Sequence, residues 1–577
     1  MKKPVIEFQD FSFQYNSQSE PTLHTINLTI YEGEKVAIVG PSGSGKSTLV
    51  HCLNGLVPFA YKGEITGSLK INGKETRELD LFSIAQSVGT VLQDTDGQFI
   101  GLTVAEDIAF ALENNAVPIP QMKKKVMTDA ELVDMSSHLH SRIYEISGGQ
   151  KQRVALAGVL VNDIDVLLFD EPLANLDPAS GKEAIRLIDQ LQINSGKTVI
   201  IVEHRLEDIL SQPLNRIILV NHGRIIADMS PNEMLASNLL VDNWIREPLY
   251  IKALKCSGCH LTKEMPLTNV YKLAEPSFRE KLIDHFVNQS TATKTERSQQ
   301  EPVIEVEHLS FHYPEQSNTL TDVSFTLHQG EVVSLIGANG AGKSTLSSII
   351  CGFEKPQAGK VLFNGYDVKE DSIKQRAQRV GFVLQNPNHM FSKQIVFEEV
   401  AFGLQQENLT PQEIKERVEE TLKICGLYPL RNWPINALSF GQKKRLSIAT
   451  ILVMQPPILL LDEPTAGQDY KHTTELMTFL SELAASGITI ILITHDMHLM
   501  MEYTDRAIVL SEGRIIADDS PAVILSKKQI IQQANLRESS LYELADYLQL
   551  EDPAHFVEQF IQYDRGVRHE QRAVELY

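Results

Sequence analysis

One feature governs everything else in this chain: it is written twice. The glycine loop from Gly40 to Thr48, GPSGSGKST, returns as GANGAGKST from Gly337 to Thr345. Val91-Leu-Gln93 returns as Val383-Leu-Gln385, and Ile146-Ser-Gly-Gly-Gln150 as Leu438-Ser-Phe-Gly-Gln442. Asp165-Val-Leu-Leu-Phe-Asp-Glu-Pro172 returns as Pro457-Ile-Leu-Leu-Leu-Asp-Glu-Pro464. Order and internal spacing persist, so this is a duplicated domain and not a compositional echo. Each half of the 577 residues is long enough to bury a sizeable core without a disulfide or metal staple.

Each copy opens with an alternating strand pattern, Val5-Ile-Glu-Phe8 in the first and Val303-Ile-Glu-Val306 in the second. A buried apolar strand then enters the glycine loop, at Lys35–Val39 and Glu331–Ile336, and a helix is expected to follow. Further β-α units complete an α/β fold. Between the copies, from about Asp242 to Gln300, no repeat is found. Its polar end, Thr291-Ala-Thr-Lys-Thr-Glu-Arg-Ser-Gln-Gln300, reads as a flexible tether. An amphipathic tail follows Arg537.

A glycine loop between strand and helix aims successive backbone N–H groups at phosphate oxygens, and the helix N-terminus adds its partial positive charge. Lys46 and Lys343 are placed to reach the β- and γ-phosphates, while Ser47 and Ser344 offer a hydroxyl to Mg²⁺. The apolar runs ending in Asp170-Glu171 and Asp462-Glu463 read as buried strands delivering two carboxylates to the ligand edge of a parallel sheet. The first carboxylate of each pair, Asp170 or Asp462, suits Mg²⁺. The second, Glu171 or Glu463, suits the base that orients attacking water.

Composition removes several classes. Against 74 Asp+Glu stand 53 Lys+Arg, a net charge of −21, which opposes a broad nucleic-acid footprint and direct adsorption to anionic lipid. No run approaches the ~18 apolar residues of a membrane span, and the N-terminus lacks the apolar core of a signal peptide. Five scattered cysteines make no disulfide framework and point to a reducing compartment. Cys256-Ser-Gly-Cys259-His260 matches a haem-attachment spacing, but without an export signal or a second cysteine pair neither haem nor zinc is expected.

With these motifs in place, the sequence resembles the ATP-binding-cassette ATPases over residues 4–246 and 303–536, separated by a linker at 247–302 and followed by an extension at 537–577. The resemblance implies two tandem P-loop NTPase domains, each with a RecA-like α/β core, an antiparallel β subdomain and a helical signature subdomain. It implies ATP and Mg²⁺ as ligands. Phosphate binding would fall to Gly40, Pro41, Ser42, Gly43, Ser44, Gly45, Lys46, Ser47 and Thr48, and to Gly337, Ala338, Asn339, Gly340, Ala341, Gly342, Lys343, Ser344 and Thr345. Ser147, Gly149 and Gln150, with Ser439, Gly441 and Gln442, look like signature motifs that cap the γ-phosphate held by the other copy. Gln93 and Gln385 match the residues that sense Mg²⁺ and attacking water, Asp177 and Asp469 the loop crossing a dimer interface, and His204 and His495 the switch histidine. Tyr15 and Tyr313 are candidates for stacking on adenine. Phe440 departs from the pattern by replacing the first signature glycine, so two competent but unequal sites are expected.

Smaller details suggest a branch. The stretch Gln93–Phe110, with Gln385–Ser392 and Thr465–Tyr470, is similar to the double-length ATPases of energy-coupling-factor importers, some of which serve uptake of thiamine or its pyrimidine precursor. That likeness implies two membrane partners, a scaffold and a small substrate-binding protein, and a peripheral place on the cytoplasmic face of the membrane. The rivals are a twin-cassette ribosome factor, a DNA-repair cassette, a non-catalytic nucleotide-binding module and a fused sugar-importer ATPase. The acidic charge and the loops Asn175-Leu-Asp177 and Gly467-Gln-Asp469 count against the first. The lack of a long insertion counts against the second, and the intact Glu171 and Glu463 count against the third.

Overall fold

A computed structural model describes residues 3–575 except 94–95, 175, 274–275, 289–300, 315–318 and 406, with side chains described as far as Arg568. The chain divides into two compact units, the boundary falling between Pro276 and Ser277. The proposed tether at 291–300 lies outside the described residues.

The first unit carries two sheets. Pro4–Tyr15 pairs antiparallel with Leu23–Tyr31 on one side and Gly63–Ile71 on the other. The second sheet has six strands, with Lys35–Val39 between Thr198–Val202 and Arg216–Asn221, both parallel to it. Val166–Asp170 and Val88–Val91 continue the parallel order, and Arg224–Met229 closes the opposite edge antiparallel. Every residue of Lys35–Val39 and Thr198–Val202 is buried, as expected of a parallel strand covered on both faces. Phe8, Phe11, Phe13, Leu23, Ile38, Leu49 and Leu53 fill the space between the two sheets and the loop helix Lys46–Leu53.

The second unit repeats this order. Pro302–Phe311 pairs with Leu320–His328 and Ala358–Phe363, and Val332–Ile336 lies between Thr489–Ile493 and Arg506–Ser511. Each unit also carries a helical layer. In the first it is built from Val104–Asn114, Ile119–Leu132 and Gly148–Leu160, and in the second from Val396–Leu404, Pro411–Ile424 and Phe440–Leu452. Capping boxes fix several of these starts: Thr103 with Glu106, Ser147 with Gln150, Thr410 with Glu413, and Ser439 with Gln442.

The range 247–302 is largely folded. Leu249–Cys256 is a helix whose Leu249, Tyr250, Ile251, Ala253 and Leu254 are buried, and Leu249 N–H donates to Glu207 of the first cassette. Cys256 closes that helix and Cys259 is buried after it. Past the unit boundary, Phe286 packs edge-on against Phe556, Phe560 and Tyr563 of the C-terminal helix Pro553–Glu575. The tail is thereby part of the second unit: Arg565 donates to the carbonyls of Met501, Glu502 and Thr504, and Arg568 pairs with Glu502.

Candidate active sites

Strand register delivers the chemistry of each unit to one edge. Gly40 follows the buried strand so closely that a Cβ there would lie 2.1 Å from the carbonyl of Val220, and one at Gly337 would lie 2.1 Å from that of Leu510. Gly45 and Gly342 sit at φ 103° and 102°, a left-handed turn that starts the helices Lys46–Leu53 and Lys343–Ile350. Beside Gly43 and Gly340 there is open space where a side chain would otherwise intrude, so the loops are cradles with their N–H groups at the helix start.

Lys46 Nζ donates to the carbonyls of Gly40 (2.8 Å) and Pro41 (2.9 Å), and Lys343 Nζ to those of Gly337 (2.7 Å) and Ala338 (2.8 Å). Burial pushes Lys46 down to about 8, against the pull of the Glu171 carboxylate. Ser44 Oγ is buried without a hydrogen-bond partner, a polar atom in the loop suited to an anionic ligand. Ser47 and Ser344 are exposed at the start of their helices.

The two carboxylates of the first cassette are pushed in opposite directions. Burial, reinforced by the neighbouring Glu171 charge, raises Asp170 to about 6. Burial also acts to raise Glu171, but the His204 hydrogen bond and the Lys46 charge outweigh it and lower the carboxyl. Such a split separates a proton-accepting carboxylate from its neighbour. Glu171 is held from two sides: Gln93 Nε2 donates to Oε2 at 2.6 Å, and His204 Nε2 lies 3.1 Å from Oε1. Glu171 and Glu463 both adopt positive φ, 49° and 43°, with their N–H groups bonded to Val202 and Ile493 carbonyls at 2.9 Å. Backbone strain repeated at the same place in both copies marks a position fixed for its side chain.

In the second cassette His495 Nδ1 lies 2.6 Å from Glu463 Oε1, and Thr494 Oγ1 lies 3.5 Å from Oε2. Asp462 is raised by burial and by the Glu463 charge. The carbonyl of Gln385 accepts from Lys444 Nζ. Burial pushes Lys444 down to about 8, opposed by Glu463 and Asp462. Glu171, Gln93, His204, Asp170 and Lys46 thus converge in one cassette, and Glu463, His495 and Asp462 in the other.

The signature residues keep equal local geometry in both copies. Ser147 Oγ accepts from Gln150 N–H and Ser439 Oγ from Gln442 N–H, each at 3.3 Å, and each glutamine Oε1 accepts from its serine N–H in return. Phe440 leaves this cap intact and stands 42% exposed at the first helical position. Asp177 caps the helix Pro178–Ser195 by accepting from Ser180 N–H at 2.9 Å, and Asp469 immediately precedes the helix Tyr470–Ala485. Tyr15 bonds Thr48 through its hydroxyl at 3.1 Å and meets Phe13 edge-on; Tyr313 meets Phe311 edge-on. Both rings are half-buried against the core.

Sequence reasoning missed Glu203. Its buried carboxylate accepts from the N–H groups of Leu173, His204 and Arg205, joining the turn after Glu171 to the loop of His204. The only signal was a charged residue ending the apolar run before the histidine, where the second copy has Thr494. It also passed over Lys444 and its counterpart Gln152, which donates to the Pro172 carbonyl.

Among the described residues no helix is long and apolar enough to cross a membrane. Residues 23–174 and 320–466 match a family profile described as ABC transporter, and residues 237–311 one described as ATP-binding cassette cobalt transporter. An ABC transporter ATP-binding protein of Clostridium perfringens is 58% identical over 98% of this chain and 100% of its own length. A counterpart from Enterococcus faecalis is 54% identical over 98% of this chain and 100% of its own length. A solved structure, cbiO1 from Clostridium perfringens, described as part of the ABC transporter complex cbiONQ, is 36% identical; it covers 43% of this chain and 100% of that one at a TM-score of 0.39.

Proposed function

This chain belongs to the ABC transporter ATPases, and on that premise we propose that it is the energy-coupling subunit of an importer of the energy-coupling-factor kind, hydrolysing ATP at two sites to drive uptake through separate membrane proteins. The observation that carries the hydrolytic reading is Glu171, strained in backbone and gripped by Gln93 and His204 beside a buried lysine. Its carboxylate accepts the proton of a water aligned on the γ-phosphorus, while Lys46 and the loop N–H groups take up charge on the phosphoryl oxygens. Glu463, His495 and Lys343 act in the same roles in the second copy. Ser47, Gln93 and Asp170, with Ser344, Gln385 and Asp462, would hold Mg²⁺, which would neutralise phosphate charge. Tyr15 and Tyr313 flank the adenine.

In the same reading Lys46, Glu171 and His204 work against Ser439, Gly441 and Gln442. Lys343, Glu463 and His495 work against Ser147, Gly149 and Gln150, with Asp177 and Asp469 lying along that seam. ATP then acts as an adhesive, since a closed pair that binds ATP better than ADP transmits that difference to its partners. Covalent linkage of the cassettes raises their effective concentration for each other to roughly the millimolar range for a short linker.

The importer branch rests on the sequence of the Gln93–Phe110 stretch and on the match of residues 237–311 to a transporter cassette profile. Exposed apolar side chains in and near the stretch that follows Gln93 support membrane partners: Ile100, Leu102 and Tyr144 are 63%, 80% and 70% exposed, side chains suited to a protein helix. Peripheral attachment at the cytoplasmic face follows from such partners, and cargo choice rests with them. Affinity purification of the tagged chain from detergent-solubilised cells, read by mass spectrometry, tests this. Recovery of a multi-span scaffold with a small multi-span protein supports the importer, and the small protein names the cargo. Recovery of ribosomal proteins alone replaces it with the soluble-factor reading.

A further inference from the structure

The helix that follows the second signature motif contains a lysine with almost no contact with solvent. Lys444 is 1% exposed, and lysines are almost never fully buried unless their charge is engaged. Its Nζ donates to the main-chain carbonyl of Gln385 and lies 3.4 Å from that of Glu463. Three chain segments therefore meet at one ammonium: the signature helix Phe440–Leu452, the loop of Gln385, and the strained turn at Glu463.

The first cassette solves the same packing problem differently. Gln152 occupies the equivalent helical position, is 9% exposed, and gives its amide to the carbonyl of Pro172, one residue past Glu171. A neutral side chain thus suffices to fill the space and tie the helix to the carboxylate turn. The ammonium brings what the amide lacks: three donors on a flexible stem, able to bridge two carbonyls from different segments, at the cost of burying a charge. Its targets are backbone atoms of Gln385 and Glu463, so a displacement of the signature helix is passed to both loops without rearranging any side chain between them.

We propose that Lys444 is a positioning residue of the second cassette, which couples the signature helix to the backbone of Gln385 and Glu463 and so sets the register of the hydrolytic carboxylate. The proposal rests on the reading that Glu463 is the base of its site. The hydrogen bonds of Lys444 run to the backbone of Gln385 and Glu463, so its loss is expected to act on turnover more than on nucleotide capture. The comparison residue for testing this is already present in the molecule, since Lys444→Gln installs the first cassette's own solution.

The test measures steady-state ATPase of the full chain in a Glu171→Gln background, which silences the first site, with Glu463→Gln, Lys444→Gln or Lys444→Arg added, each beside the Glu171→Gln parent. Lys444→Gln is expected to lower kcat by roughly 10- to 100-fold at the second site, the scale of a sub-ångström to ångström misplacement. KM for ATP should stay within about twofold, the signature of a loss confined to the transition state. Lys444→Arg, which keeps charge and several donors, should recover part of kcat. If Glu463→Gln leaves the rate unchanged, the reading of that site fails, and this proposal with it. If Glu463→Gln lowers the rate while Lys444→Gln does not, or if KM rises at constant kcat, the positioning role alone is overturned. Should Lys444→Gln misfold, Lys444→Arg decides: an arginine variant with native melting and kcat lowered at unchanged KM supports the positioning role. One that melts natively with kcat and KM both unchanged refutes it.

Discussion

The two cassettes share the order of their motifs yet surround the glutamates proposed as their bases with different residues. In the first, side chains do the holding: Gln93 and His204 bond the carboxylate of Glu171 directly, and Glu203 staples the loops around it. In the second, His495 and Thr494 approach Glu463, while Lys444 grips the backbone beneath it. Equal motifs therefore do not imply equal sites. A duplicated sequence preserves the atoms that meet phosphate, and divergence accumulates in the residues that position them.

The largest expected effect breaks this comparison outright. Glu171→Gln and Glu463→Gln should each cost their own site roughly 10²–10⁴-fold, the range for loss of a general base. If the sites are unequal, the two variants retain different ATPase rates, measured on the same preparation at saturating ATP. Indistinguishable residual rates would mean that the different supports around Glu171 and Glu463 have no kinetic consequence.

A second contrast concerns the ends of the cassettes. The segment after the first copy folds back as the buried helix Leu249–Cys256, whereas the second copy is completed by the C-terminal helix, with Phe556 and Phe560 buried against Phe286. Phe560→Ala should destabilise the second unit by about 3–5 kcal/mol, as for other aromatic truncations in a core. A melting curve with two transitions should show only the second unit's transition shifted; a shift of neither transition would make the tail an appendage.

What could be read from the sequence follows from how locally each feature is encoded. The glycine loops and the Asp-Glu pairs are contiguous, and a neighbouring strand and helix supply the local geometry, so a helix beginning at Lys46 and a buried strand ending at Asp170 were legible from the sequence. The opening strand of each copy and the buried strand before each glycine loop followed from alternating and continuous apolar runs, whereas the antiparallel sheet was implied only by the family resemblance. Glu203 and Lys444 were hidden because their partners lie on other segments: a buried charge shows only as one polar letter in an apolar run until the fold brings its carbonyls or N–H groups to it. The segment between the copies was silent for a related reason. Without a repeat to compare, Leu249, Tyr250, Ile251 and Leu254 gave no hint of which surface they cover, and Phe286 had its partners some way beyond the second cassette.

The carboxylate beside Glu171 offers a smaller and pH-dependent effect. Burial and the Glu171 charge push Asp170 up to about 6 in the folded protein, from the roughly 4 of an exposed aspartate. A carboxyl raised on folding binds its proton more tightly in the native state, so it costs stability as pH rises from about 4 to 6 and the full cost is present above that window. Asp170→Asn should therefore stabilise the protein in EDTA at pH 7.5, on the order of 1–3 kcal/mol from the size of the shift. The gain should vanish near pH 4. Mg²⁺ with nucleotide should reverse the ranking at pH 7.5, because the unaltered carboxylate then has its cation. A gain in EDTA that is flat across pH 4–7.5 would show that the burial of Asp170 carries no charge penalty.

The smallest effect sharpens the comparison at its most visible difference. Phe440 stands where the first cassette has Gly148, yet the caps made by Ser439 and Ser147 are alike to within the same 3.3 Å bond. The ring is 42% exposed, so removing it leaves no cavity. Phe440→Gly should thus change stability by less than ~1 kcal/mol, the helix-propensity cost of glycine at a helix start being at most that. Any change in ATPase then reports on what the ring meets as the signature approaches a nucleotide. A rise of a few-fold, assayed alone and in the Glu463→Gln chain, would place the hindrance at the site served by Lys46 and Glu171, because only that site still hydrolyses in the double variant. A rate unchanged in both backgrounds would assign the inequality of the cassettes to the supports of Glu171 and Glu463 and leave the signature substitution neutral.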